Sequence, residues 1–212
     1  MASRLTPMAS FATDSVASVP GGRIGEVIAT TTEAFSAQCH ALDEAPPFAS
    51  FVRTDVDGVI VLAVVARVTT GPIDGSRRVI ARGAEHTDAS EVWTSNPELE
   101  LLLRTEFEAR ILGYLENDRA WLQYPPRPPR LHSFVYTASS AQIAALGEDP
   151  SFVRPLADAT ARSDQLIGAA IRRVADASGD QRTYLLRAGR MLAPLIEHDI
   201  SRLRAILGYA TQ

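Results

Sequence analysis

Hydrophobic positions recur with a period near two from residue 23 to about residue 137, and with a helical period after residue 139. RIGEVIAT, from Arg23 to Thr30, alternates: Ile24, Gly25, Val27 and Ile28 flank Glu26, which predicts a strand. FSAQCHAL (35–42) predicts a second. After Pro46-Pro47, the run PFASFVRT places Phe48, Ala49, Phe51 and Val52 in a third. Asp57-Gly58 is the strongest two-residue hairpin signal in the chain. VIVLAVVARV (59–68) is continuous and β-branched, as expected of a strand buried on both faces or at a barrel centre. Gly71-Pro72 and Asp74-Gly75 mark its exit.

The polar segment 83–94 predicts a loop. Ser95 or Asn96 can cap a helix that Pro97 opens and Glu98 stabilises at its positive end. It would run to about Arg104 with Leu99, Leu102 and Leu103 turned inward. Strand patterning resumes from Glu106 to Tyr114, turns at Asn117-Asp118 and returns from Ala120 to Tyr124. PPRPPR (125–130) lacks the N–H groups of a central strand and predicts a rigid connector or an edge. His132–Thr137 is the last strand. Several short strands at tight spacing favour a small barrel, which removes exposed sheet edges.

After Ser139, SAQIAALG predicts a helix of one or two turns and DPSFVRPLAD a capped short helix or turn. Ser163-Asp164 starts an amphipathic helix with Ile167, Ile171 and Val174 on one face and Arg172, Arg173 and Asp176 opposite. Gly179 ends it. A second helix covers about Gln181–Met191. Pro194 breaks or restarts the pattern, and a third helix runs from Leu195 to Tyr209. The expected fold class is α+β. A flexible arm (1–22) precedes a β-barrel (23–138) with a short inserted helix near 96–104. A region of about three helices (139–212) follows.

Composition narrows the function. With 46% hydrophobic and 22% charged residues, the chain can build a real core. Its single cysteine, Cys39, excludes an internal disulfide and fits a reducing, cytoplasmic compartment. No apolar run reaches the ~18 residues of a membrane span, and residues 1–22 lack the apolar core of a signal peptide. The net charge of −4 argues against nucleic-acid binding by the molecule as a whole. All 21 basic residues are arginine. A chain without lysine has no Walker A lysine and no lysine Schiff base.

Candidate chemistry is sparse. His132-Ser133 lacks the G-x-S-x-G of a nucleophile elbow, and a histidine leading a strand is more often structural. Cys39 and His40 are neighbours on a predicted strand, so they point to opposite faces and do not easily share a metal. His86 and His198 have no ligand at metal-motif spacing. Glu98, Glu100, Glu106 and Glu108 form an i, i+2 series that most simply makes a solvated face, with a glycosidase-like pair as the alternative. No catalytic residue, cofactor or metal ligand is assigned. Arg77-Arg78, Arg127, Arg130 and Arg172-Arg173 supply surface solubility or, in the functional reading, contact an acidic partner or phosphate. PPRPP can offer polyproline II geometry to a partner groove.

Four segments together resemble the HerA/ATP-synthase (HAS) barrel: RIGEVIAT (23–30), VLAVVARV (61–68), EARILGYL (108–115) and PPRPPRLHSFVY before the exit strand. In HerA-type DNA translocases, a similar barrel opens on a glycine-containing strand and ends on a proline-rich stretch leading to an x-V-Y strand. The resemblance covers about Arg23 to Tyr136. Where those barrels lead into a RecA-like ATPase, residues 139–212 look helical and carry no lysine. The resemblance therefore implies the barrel's non-enzymatic role: subunit packing in a ring and docking of a partner. The expected partner is a separately encoded HerA-like hexameric ATPase or an associated nuclease in DNA processing or repair. Homo-oligomerisation and direct DNA contact both stay open. The C-terminal helices would cover the barrel or mediate oligomerisation. The alternatives are a small barrel binding single-stranded nucleic acid (Trp93, Trp121, Tyr114 and Tyr124 could stack) or a small ligand, and a hydrolase whose polar cluster only folding assembles.

Overall fold

The computed structural model describes residues 22–117, 119–157, 161–196 and 199–211. Most of the expected N-terminal arm, together with Asp118 and His198, lies outside the described residues.

The described residues form seven antiparallel strands: β1 (Arg23–Thr30), β2 (Ala34–Cys39), β3 (Phe51–Val56), β4 (Val59–Pro72), β5 (Leu103–Glu116), β6 (Arg119–Trp121) and β7 (Phe134–Thr137). Their order is β2-β1-β7-β3-β4-β5-β6, and a β2–β5 pairing closes six of them into a barrel. The class read from the sequence, an N-terminal β-barrel followed by helices, is the one observed. β6 pairs only with β5 and stands outside the closed wall, so the run Ala120–Tyr124 contributes a short flanking strand.

The turn chemistry accounts for the tight connections. Asp57 and Gly58 both adopt positive φ (49° and 88°), which lets Val56 pair directly with Val59. Such a turn follows the twist of its flanking strands. At Gly25, β1 and β2 approach so closely that a Cβ would collide with the Gln38 carbonyl. Only glycine fits there, in the strand that opens the resemblance.

Two cores share the barrel wall. Inside lie Val27, Phe35, Ala37, Val52, Val61, Ala63, Val65, Phe107, Ala109, Ile111 and Val135. On the outer side, Phe51, Leu62, Val64, Leu112 and Leu115 pack against the C-terminal helices. β4 is therefore buried on both faces over Val61–Val65, as its continuous apolar run predicts.

The helical part begins with α3 (Ser140–Gly147), held by a capping box between Ser139 and Gln142. A 3₁₀ segment follows at Pro150–Leu156, then α4 (Ala161–Ala177), α5 (Gln181–Leu195) and α6 (Ile200–Ala210). Phe152 is fully buried, its ring centroid 6.1 Å from that of Phe51 on the barrel. Gly179 ends α4 with a φ of 78°. Pro194 sits in the last turn of α5 rather than ending it at Met191. The third long helix starts only at Ile200, because Asp199 caps it by accepting from Arg202 N.

The β4–β5 connection departs most from expectation. The segment expected to be a loop contains α1 (Ala89–Ser95), whereas the inserted helix expected over 96–104 shrinks to one turn, α2 (Leu99–Leu102). Asn96 closes α1 as its C-cap instead of opening the next helix, and Leu103 already belongs to β5.

Candidate functional site

β4 and β5 are 14 residues each and outrun the rest of the barrel. β3 pairs with β4 only as far as Phe51 opposite Val64, whereas β4 and β5 stay paired out to Pro72 opposite Leu103. Residues 73–102 form the tip of this hairpin.

Local hydrogen bonds build the tip. Asp74 Oδ1 accepts from Ser76 N (3.0 Å) and Ser76 Oγ (2.7 Å), and these bonds hold its carboxyl below the usual carboxylate range. Asp88 caps α1 by accepting from Ser90 N at 2.7 Å, which likewise lowers its pKa. Glu91 reaches back to Thr87 N at 3.1 Å. Asn96 Nδ2 donates to Val92 O, and Arg82 bridges Asn96 Oδ1 and Glu98 Oε1. A groove of about 490 Å³ lies against this frame, lined by Ile73, Arg77, Arg78, Ile80 and Leu101 among others. Leu99, Leu102 and Leu103 were expected to turn inward; all three line the groove and none is buried. A one-turn α2 has no inner face to bury them.

The six candidate arginines fall on three separate elements. Arg77 and Arg78 edge the groove, with Arg77 Nε 3.4 Å from Asp74 Oδ2. Arg127 and Arg130 reach back to the β3–β4 turn, at 3.2 and 2.7 Å from the two Asp57 carboxylate oxygens. They tie the proline-rich connector to the barrel. Arg172 and Arg173 lie on α4, beside a second, polar pocket of about 440 Å³ that also includes Asp176 and Gln181. Arg173 donates to the Phe48 carbonyl at 3.4 Å, and burial, then Arg172, lowers its pKa from the ordinary arginine value.

The aromatics proposed for stacking divide. Tyr114 is buried and stacks on Trp121 with centroids 6.3 Å apart, while Trp93 and Tyr124 are exposed. The outer wall over β1, β7 and β3 carries a different set. Arg23 lies 4.5 Å from the Phe134 ring centroid and Arg53 lies 4.6 Å from that of Tyr136. Strand alternation within HSFVYT places Phe134 and Tyr136 on one face, a signal carried by the period-two pattern of the strand.

Histidines and carboxylates are dispersed. His132 Nδ1 is 3.1 Å from Glu26 Oε2 on an exposed turn, and His86 pairs with Glu91 at 3.6 Å. Glu98 and Glu100 sit at the tip, and Glu106 and Glu108 on β5. Among the described residues, no group of three or more His, Cys, Asp or Glu side chains could hold a metal. Cys39 is buried, and burial followed by the charge of Glu44 pushes its thiol up to about 11. No helix among the described residues is long and apolar enough to cross a membrane.

The arrangement defines a closed antiparallel barrel whose outer surface carries an arginine-edged apolar groove and a cation–aromatic wall. No family model matches the chain, and no curated protein matches it.

Proposed function

We propose that the chain is a HAS-type barrel without catalysis of its own, an assembly module for a separately encoded HerA-like hexameric DNA-translocating ATPase. The observation that carries this reading is the closed six-stranded antiparallel barrel, its interior filled by its own side chains and one wall covered by its own helices. A filled barrel of this size works through its outer surface. The wall of β1, β2 and β7 keeps Glu26, Gln38, Phe134 and Tyr136 exposed or half-buried, available to a neighbouring subunit. The test is purification of the tagged full-length chain from its native host, with identification of what co-purifies. A chain carrying a Walker A lysine is expected in stoichiometric amount, and recovery of none overturns the reading.

A second reading, single-stranded nucleic-acid binding, draws on the Arg23–Phe134 and Arg53–Tyr136 pairs. The net charge of −4 works against it. Fluorescence anisotropy with labelled oligothymidine decides: this reading expects salt-sensitive binding that Phe134→Ala weakens. An absence of binding at low salt removes it.

A further inference from the structure

We propose that the polar cavity where α4, α5 and α6 meet is a binding site for a small phosphorylated ligand, whose phosphate group is held between the Arg172 and Arg173 guanidinium groups.

The candidate arginines differ in what already neutralises them. Arg77 pairs with Asp74, and Arg127 and Arg130 share Asp57. Among the described residues, Arg172 makes no ion pair or hydrogen bond, and the one polar partner of Arg173 is the Phe48 carbonyl at 3.4 Å. Both side chains are partly buried, and both line one cavity of about 440 Å³ with Asp176, Gln181, Ala210 and Thr211. Two cations that converge on a hollow without counter-ions lose water and repel each other. Both effects act on Arg173, burial first and the Arg172 charge second. An anion placed between the two removes the repulsion and replaces the lost water. Guanidinium forks match phosphate oxygens in pairs, and the volume suits a small molecule.

The opposing charges are weaker. Asp176 Oδ1 accepts from Gln181 Nε2 at 3.1 Å, and its charge is the smallest of the three influences on Arg173. Asp180 lies outside the lining, where it caps α5 by accepting from Thr183 N. Helix ends add smaller, solvent-screened terms of both signs, since α5 opens at Gln181 while α4 and α6 end at Ala177 and Ala210. Two arginines against one aspartate leave the lining with a net charge of +1. A polyanion would also meet the −4 of the whole chain, which favours a small ligand.

This inference does not rest on the ATPase reading. Isothermal titration calorimetry of the full chain with inorganic phosphate, at constant ionic strength, should show saturable binding to one site. Arg172→Gln and Arg173→Gln should each weaken it by about tenfold or more, the loss of one charged hydrogen-bonding partner. Asp176→Asn should tighten it, a change that misfolding does not mimic. Arg78→Gln removes an unpaired arginine outside the cavity and should leave it unchanged. An unchanged circular dichroism spectrum would show that the variants fold. Arg172→Gln and Asp176→Asn decide the outcome even where Arg173→Gln, which also loses the Phe48 contact, unfolds. Absence of binding overturns the proposal, as does binding that survives the glutamine variants or fails to tighten in Asp176→Asn. Displacement of phosphate by oligothymidine would give the site to a nucleic-acid backbone and overturn the small ligand.

Discussion

Thr54 is wholly buried, pointing inward between Val52 and Val56 on β3, and its hydroxyl has no hydrogen-bond partner among the described residues. Val61 on β4 and Val135 on β7 stand opposite it in register. An unpaired buried hydroxyl costs on the order of 1–3 kcal/mol, and valine has nearly the same shape. Thr54→Val should therefore stabilise the protein by about 1 kcal/mol, read as a higher denaturant midpoint with an unchanged slope. Cys39 tests burial by a different route. Its raised pKa leaves little thiolate near neutrality, so iodoacetamide should label it slowly in the folded chain and readily in urea. The folded chain holds this proton more tightly than the unfolded one. The stability linked to it is full below the ordinary thiol range and declines as pH rises toward about 11.

At the scale of elements, helix α1 depends on its first turn. Asp88 is its N-cap, and none of its residues is buried, so tertiary packing adds little. Asp88→Ala should destabilise this helix locally. Hydrogen exchange over 89–95 should accelerate while the barrel amides keep their protection. The cap was legible in the sequence: Asp88 followed three residues later by Glu91 is an N-terminal signature. The segment nevertheless reads as a loop, because it is polar and lacks a helical apolar stripe. Strand β1 was legible to the residue, since alternation is a local signal, and so was the Asp57-Gly58 turn. Pairing across the chain was not. β2 meets β5 with Ala34 opposite Arg110, and nothing local to either strand names the other. Arg127 and Arg130 looked like partner contacts because the carboxylate that holds them, Asp57, lies some seventy residues earlier. The groove was hidden by the expected helix: four residues in place of nine change leucines assigned to a core into leucines lining a surface.

At the scale of the whole molecule, the boundary drawn near residue 138 separates two patterns of periodicity, and one hydrophobic cluster runs across it. Phe51, Leu62, Val64, Leu112 and Leu115 belong to strands, while Phe152, Val153, Ile167 and Ile171 belong to helices, and all are buried together. A barrel cut off at residue 138 would expose that wall to water, with no element left to cover it. Burying each such side chain contributes roughly 1.5–3 kcal/mol, and the loss of several exceeds the margin of a typical domain. The chain ending at residue 138 should thus be insoluble or bind a hydrophobic dye, whereas the full chain should not. Phe152→Ala examines the same contact without truncation. Phe152 stands against Phe51 in the centre of that cluster, and its removal should cost about 3–5 kcal/mol. If barrel and helices share one core, denaturation of this variant followed by far-ultraviolet circular dichroism and by tryptophan fluorescence should give coincident transitions, shifted together to lower denaturant. Trp93 and Trp121 are the two tryptophans, and both lie on the barrel side of residue 138. Loss of helical signal ahead of the fluorescence change would mean that the helices come off an intact barrel, and that the barrel carries its own stability.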